Sequence, residues 1–163
     1  MQDHSSADPD RPLVYIRLRP VWTYIDGIRD FTGFFCDHTF SEPKLAQRAR
    51  VVMQETLENA IKYSLRGPES ELEVAIHSTG DSLQISVSST PDPQHLERLR
   101  SELTTMADKE PKQAYLDAFA RAATSPEASA QLGLARICFE GEAELRLEEQ
   151  ENGRIRLTAT GAI

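Results

Sequence analysis

Three polar side chains on one predicted helix have the types and spacing of a reactive site. Glu55, Asn59 and Lys62 follow one another at steps of four and three residues, so a helix over residues 42–66 would carry them on one stripe. A carboxylate one turn before a neutral amide can polarise a hydroxyl while the amide holds a hydrated metal ion. The stripe lies roughly opposite the apolar arc of this helix, so the spacing alone also fits an ordinary solvated face.

The letters around this stripe are more specific than its spacing. Residues 55–64 read Glu-Thr-Leu-Glu-Asn-Ala-Ile-Lys-Tyr-Ser, which resembles the N-box of the GHKL (histidine kinase-like) ATPase superfamily. The resemblance implies that Glu55 is the catalytic base, that Asn59 is the Mg²⁺ ligand beside the nucleotide, and that Lys62 meets phosphate charge. It also implies ATP and Mg²⁺ as cofactors of an active enzyme, and no cofactor for a pseudo-enzyme.

Two further motifs of the superfamily are present only in part. The adenine-binding box, which normally reads Asp-x-Gly-x-Gly, falls at Ser89, and no glycine follows it in residues 90–93. The phosphate-binding box retains Leu-Gly-Leu at residues 132–134 but lacks both earlier glycines. The resemblance implies that Ser89 meets the base and that Gly133 lies where a helix N-terminus holds phosphates. Tight packing between helices explains Gly133 equally well.

The segment between these boxes resembles the helical lid of SiaB-like bacterial proteins, which are small stand-alone relatives of the GHKL type. Residues 91–130 contain two helical patterns and four prolines. SiaB-like proteins belong to partner-switching signalling systems, in which a kinase phosphorylates a small regulator on serine or threonine. The resemblance therefore implies an anti-sigma-factor type of Ser/Thr kinase that acts on a STAS-like or similar small partner protein. The alternative is a catalytically inactive protein-binding module that has lost ATP.

Hydropathy patterns order the elements as a strand, two helices, two strands, a helix-rich segment, a helix and two strands. Turns at Gly80 and Gly153 should make each strand pair an antiparallel hairpin. We therefore predict an α+β fold, a two-layer sandwich with a mixed, mostly antiparallel sheet and helices on one face, as the Bergerat fold of the superfamily implies. Residues 1–12 are predicted to be a disordered tail, and residues 13–163 a single domain with its lid at about 91–130.

The first predicted helix is rich in aromatic residues. Trp22, Phe31 and Phe35 recur with isoleucines at three- and four-residue steps, and Phe34 lies beside them. We assign these aromatic side chains to the core and not to a ligand-binding box.

Composition limits the classes of partner. The chain has 18 Lys and Arg against 26 Asp and Glu, for a net charge of −8, which argues against nucleic acid and anionic membrane as partners. The acidic excess lies in residues 1–10 and 140–151, which fits either a basic partner or simple solubility. Cys36 and Cys138 lie in apolar contexts typical of free thiols, and no apolar run is long enough to cross a membrane, so we expect a cytoplasmic protein. The sequence is also compatible with a homodimer.

Overall fold

A computed structural model of the protein describes residues 11–67 and 69–163, so most of the predicted tail lies outside the described residues. The helices are α1 (Ile25–Thr39), α2 (Leu45–Tyr63), α3 (Pro93–Ala107), α4 (Pro111–Ala122) and α5 (Ser129–Phe139). The strands are β1 (Val14–Leu18), β2 (Leu72–Thr79), β3 (Ser82–Ser89), β4 (Ala143–Glu149) and β5 (Ile155–Ala162). Within the described ranges, every helix is too short or too polar to cross a membrane.

The five strands form one sheet in the order β1-β2-β3-β5-β4, and every neighbouring pair is antiparallel. Both predicted hairpins form, and β3 and β5 join them at the centre of the sheet. The predicted α+β sandwich is confirmed, and the sheet is antiparallel throughout where the sequence allowed for a mixed one. Buried and less buried residues alternate along β2 and β5, because one face of the sheet packs against the helices.

Helix α2 crosses the covered face of the sheet and supplies much of the core. Met53 and Leu57 are fully buried in the cluster that also contains the apolar residues of β2 and β3. The helix begins at Leu45, later than the predicted start, and it ends at Tyr63 because Ser64 adopts an extended backbone and forms a β-bridge with Pro91. The bridge ties the end of the predicted N-box to the start of the predicted lid.

The assignment of the aromatic residues of the first predicted helix to the core is wrong for three of the four, of which Trp22 lies in a 3₁₀ turn, Trp22–Tyr24, before α1 begins. Trp22, Phe31 and Phe34 are 51%, 43% and 58% exposed, and only Phe35 packs against the core. Helix α1 contacts α2 along a single stripe, so side chains outside that stripe remain in solvent.

The predicted lid contains α3 and α4. Helix α3 begins with Pro93 in its first turn. The Asp92 carboxylate accepts a hydrogen bond from the backbone N–H of Gln94 at 2.9 Å. Leu99 and Leu103 of α3 pack against the core of the domain. Helix α4 packs mainly against α5. The lid segment is therefore helical and lies on the domain in this structure.

Candidate functional site

The predicted polar stripe of α2 lines an open cavity of about 270 Å³, in which Glu55 is buried and Lys62 remains exposed to solvent. Glu55, Asn59 and Lys62 all line this cavity, which we call the polar cavity. Gly133 of α5 and Trp22 complete part of its wall. Packing thus brings together the predicted base, metal ligand and phosphate residues, and it adds the glycine of the second motif from far along the chain.

A second and smaller cavity, of about 30 Å³, lies between α2, α3 and the strands β3 and β5. We call it the apolar cavity, because its wall is formed largely by aliphatic side chains, including Val87, Leu99 and Leu157. Ser89 lies in this wall, away from the polar cavity. The volume holds about two water molecules, which is less than a purine ring needs.

The two cavities are neighbours along α2. Asn59 and Tyr63 line both of them, so a ligand that filled both would pass these two side chains. The Tyr63 ring contacts the His95 ring of α3 with centroids 4.3 Å apart, which links α2 to the lid at this point. The geometry is that of one cleft with an apolar end and a polar end.

Glu55 is held in an ion pair. It is 9% exposed, and its Oε1 accepts a hydrogen bond from Nη1 of Arg136 at 2.5 Å. Burial raises the pKa of the Glu55 carboxyl, and the charge of Arg136 partly offsets that rise. Arg136 engages Oε1 and lowers the basicity of the carboxylate, so Oε2 is the oxygen that Arg136 leaves available to accept a proton from a substrate.

Arg136 is a site residue to which the sequence reasoning assigned no role. Its guanidinium bridges Glu55 of α2 and Glu140, whose Oε2 lies 3.0 Å from Nη2. Arg136 follows Gly133 by three residues on α5, so both residues lie on the helix face that meets α2. This spacing was a readable signal, because a residue three positions after a motif glycine shares its helix face.

Gly133 allows α5 to approach α2. A Cβ atom at this position would lie 2.7 Å from Oε2 of Glu55, closer than ordinary van der Waals contact allows. The glycine lies one turn inside α5, past the first four amides that a helix leaves free at its N-terminus. Gly133 therefore lets α5 pack closely against Glu55, which agrees with the alternative interpretation of this glycine as a helix-packing residue.

Glu102 of α3 is a second residue that the sequence reasoning missed. It is 7% exposed and lines the apolar cavity, and its Oε1 has no hydrogen-bond partner among the described residues. Its position on the chain was a signal, since it lies three residues after Leu99 and four before Met106, on the buried stripe of α3. A glutamate on a buried stripe calls for a partner or a ligand.

No group of three or more His, Cys, Asp and Glu side chains in the described part of the chain is arranged to hold a metal ion. Mg²⁺ does not need such a group, because it commonly takes one or two protein ligands and completes its shell with phosphates and water. The Asn59 amide faces the polar cavity and suits that kind of site.

The protein is an α+β sandwich with a cleft along helix α2. Neither a family model nor a curated protein matches the sequence. Among solved structures, the chain is similar to a chain in the crystal structure of the SiaB–SiaC complex from Pseudomonas aeruginosa, with a TM-score of 0.67 and 18% identity. The match covers 94% of this chain and 91% of that chain, so the two share a fold over nearly their whole length.

Proposed function

We propose that this chain is a signalling regulator that acts on a small regulatory protein, and that it transfers the γ-phosphoryl group of ATP to a Ser or Thr of that partner. One observation carries the catalytic part: Glu55, Asn59 and Lys62 converge on one polar cavity beside an apolar one. The shared fold with a chain of the SiaB–SiaC complex, a two-protein assembly, supports the partner.

Each side chain of the polar cavity has a distinct task in this proposal. Asn59 would hold Mg²⁺ together with the phosphates, and the Lys62 ammonium, which lines the same cavity, would attract phosphate charge. Glu55 would accept the proton of the partner's hydroxyl as that oxygen forms its bond to phosphorus. ATP would supply the phosphoryl group: the bond between its γ-phosphorus and the bridging oxygen would break as the new bond forms, and ADP would leave. Mg²⁺ would neutralise part of the phosphate charge.

One feature of the chain fits a nucleotide: Glu102 lines the apolar cavity, and one of its oxygens has no partner among the described residues. The apolar cavity is smaller than a purine base, so α3 must move outward before the base of a nucleotide can enter. The structure therefore corresponds to a closed, nucleotide-free state of the proposed enzyme.

A second candidate function is a binding module of the same fold that uses no nucleotide. The small volume of the apolar cavity and the uncharged Ser89 in its wall favour it. Such a module would keep α3 packed on the domain permanently. It would recognise its partner through the surface alone.

Calorimetric titration with ATP, with and without Mg²⁺, separates the two functions. The kinase predicts Mg²⁺-dependent binding that Asn59→Ala abolishes, whereas Gln54→Ala leaves it unchanged because this second amide on α2 lines neither cavity. Radiolabelled ATP added with an extract of the source cells should then label a small protein with wild type but not with Glu55→Gln. Absence of nucleotide binding in wild type refutes the kinase and leaves the binding module.

A further inference from the structure

Helix α3 carries a buried carboxyl group, one oxygen of which pairs with no described residue. Glu102 is 7% exposed, and its Oε1 makes no hydrogen bond among the described residues. Leaving a buried acceptor unpaired is unfavourable, and native structures rarely do so without a bound water or ligand. One oxygen of Glu102 is therefore available to a hydrogen-bond donor that is not among the described residues.

The surroundings of Glu102 indicate the shape of that donor. The wall of the apolar cavity presents Val87, Leu99 and Leu157, and Glu102 is its one acidic residue among those described. A largely apolar wall that carries one carboxyl group suits a heteroaromatic ring that bears an amino group. Asn59 links this cavity to the polar one, where a phosphate chain attached to the ring would lie.

We propose that Glu102 is the base-recognition residue of the cleft, and that its free oxygen accepts a hydrogen bond from the exocyclic amino group of a purine nucleotide. The inference rests on the proposed function and names its specificity determinant. It also explains why Ser89 carries no charge: the carboxyl group comes from the lid helix that closes over the base, so base recognition and lid closure are one event.

The charges around Glu102 are compatible with this role. Burial raises the pKa of the carboxyl, while a hydrogen bond with Gln131 and the charges of Arg98, Arg121 and Lys62 oppose the rise. A carboxylate offers acceptors on both oxygens, and a protonated carboxyl still offers one. Either form can therefore accept a hydrogen bond from an amino group.

The test compares two triphosphates that differ only in the amino group. The full-length protein is titrated with ATP and with purine riboside triphosphate, each with Mg²⁺. Wild type should prefer ATP by about tenfold or more, because a hydrogen bond to a charged group has that effect. Glu102→Met, which keeps the volume but removes the acceptor, should reduce the preference to less than about twofold. Glu97→Met on the exposed side of α3 should leave it unchanged.

The possible results are distinct. Equal affinity of wild type for both triphosphates overturns the role of Glu102 and leaves nucleotide binding intact, whether or not the Met variant folds. A folded Glu102→Met protein that keeps the full preference for ATP over purine riboside triphosphate also overturns the role of Glu102 and leaves nucleotide binding intact. Wild type that binds neither triphosphate overturns the inference together with the kinase function.

Discussion

Replacing Arg136 with methionine tests how the cleft holds Glu55, the proposed catalytic base. Arg136→Met keeps most of the side-chain length but removes the charge that faces Glu55. The Glu55 side chain is 10% exposed and the Arg136 side chain 34% exposed, so the pair is only partly buried. Without Arg136, the carboxylate of Glu55 loses the only ion pair found for it among the described residues.

The size of the effect follows from this geometry. Breaking a fully buried ion pair by removing one partner destabilises a protein by about 3–5 kcal/mol. Solvent screening at the half-exposed guanidinium reduces that figure, as does protonation of Glu55, so we expect about 2 kcal/mol at pH 7. For a domain of this size, the corresponding fall in Tm is about 4–8 °C.

The effect should also depend on pH in a defined direction. In the variant, burial still raises the pKa of Glu55, and the charge that opposed the rise is gone. A carboxyl whose pKa is raised on folding does not destabilise the protein at pH values below the pKa of the unfolded state. Above that value, the destabilisation increases as the pH rises through the pKa of the folded state. The stability difference between wild type and Arg136→Met should therefore shrink between pH 7 and pH 4.

Urea denaturation of both proteins at several pH values measures this difference. Glu140→Gln is the matched control, because it removes the other, more exposed partner of Arg136 and should lower stability by less than about 1 kcal/mol. The double variant Glu55→Gln/Arg136→Met should recover stability relative to Arg136→Met alone, since no buried charge is left. A loss no larger than that of Glu140→Gln, or one independent of pH, would refute this description of Glu55.

Two further predictions concern packing and the thiols. Gly133→Ala should destabilise the protein by about 1–3 kcal/mol in urea, because its Cβ would meet the Glu55 carboxylate, whereas Gly27→Ala, with open space at its Cβ, should stabilise α1 by about 0.5–1 kcal/mol; equal effects would contradict the close approach of α5. Burial raises the pKa of Cys36 and of Cys138 to about 11, so both free thiols should react with Ellman's reagent at pH 8 far more slowly in native than in urea-unfolded protein. Rapid reaction of either thiol in the native protein would show that it is more accessible than its packing indicates.

The sequence by itself determined the secondary structure and much of the architecture. Alternation along residues 72–77 and 82–88 predicted β2 and β3, and the turn at Gly80 made them a hairpin. The apolar arc of residues 45–61 predicted α2 as a core helix. These features are readable because periodicity and turn chemistry depend on residues that are close in the chain.

Helix boundaries and the number of buried helix faces were less readable. The same three- and four-residue steps occur in α1 and α2, but α1 contacts its neighbours along one stripe and leaves Phe31 and Phe34 exposed. Periodicity identifies an amphipathic helix without showing how much of its surface other elements cover. The assignment to the core was therefore correct for Phe35 and wrong for Phe31 and Phe34.

The site itself was decided by the tertiary structure. The N-box letters placed Glu55, Asn59 and Lys62 on one stripe, but only the packing of α5 against α2 buried Glu55 and brought Arg136 to it across 81 residues of sequence. Likewise, only the packing of α3 brought Glu102 into the wall of the apolar cavity with Ser89. Burial and long-range charge pairing are properties of the packed chain. They decide whether a carboxyl group is a solvated surface group, half of an ion pair or a buried acceptor without a partner.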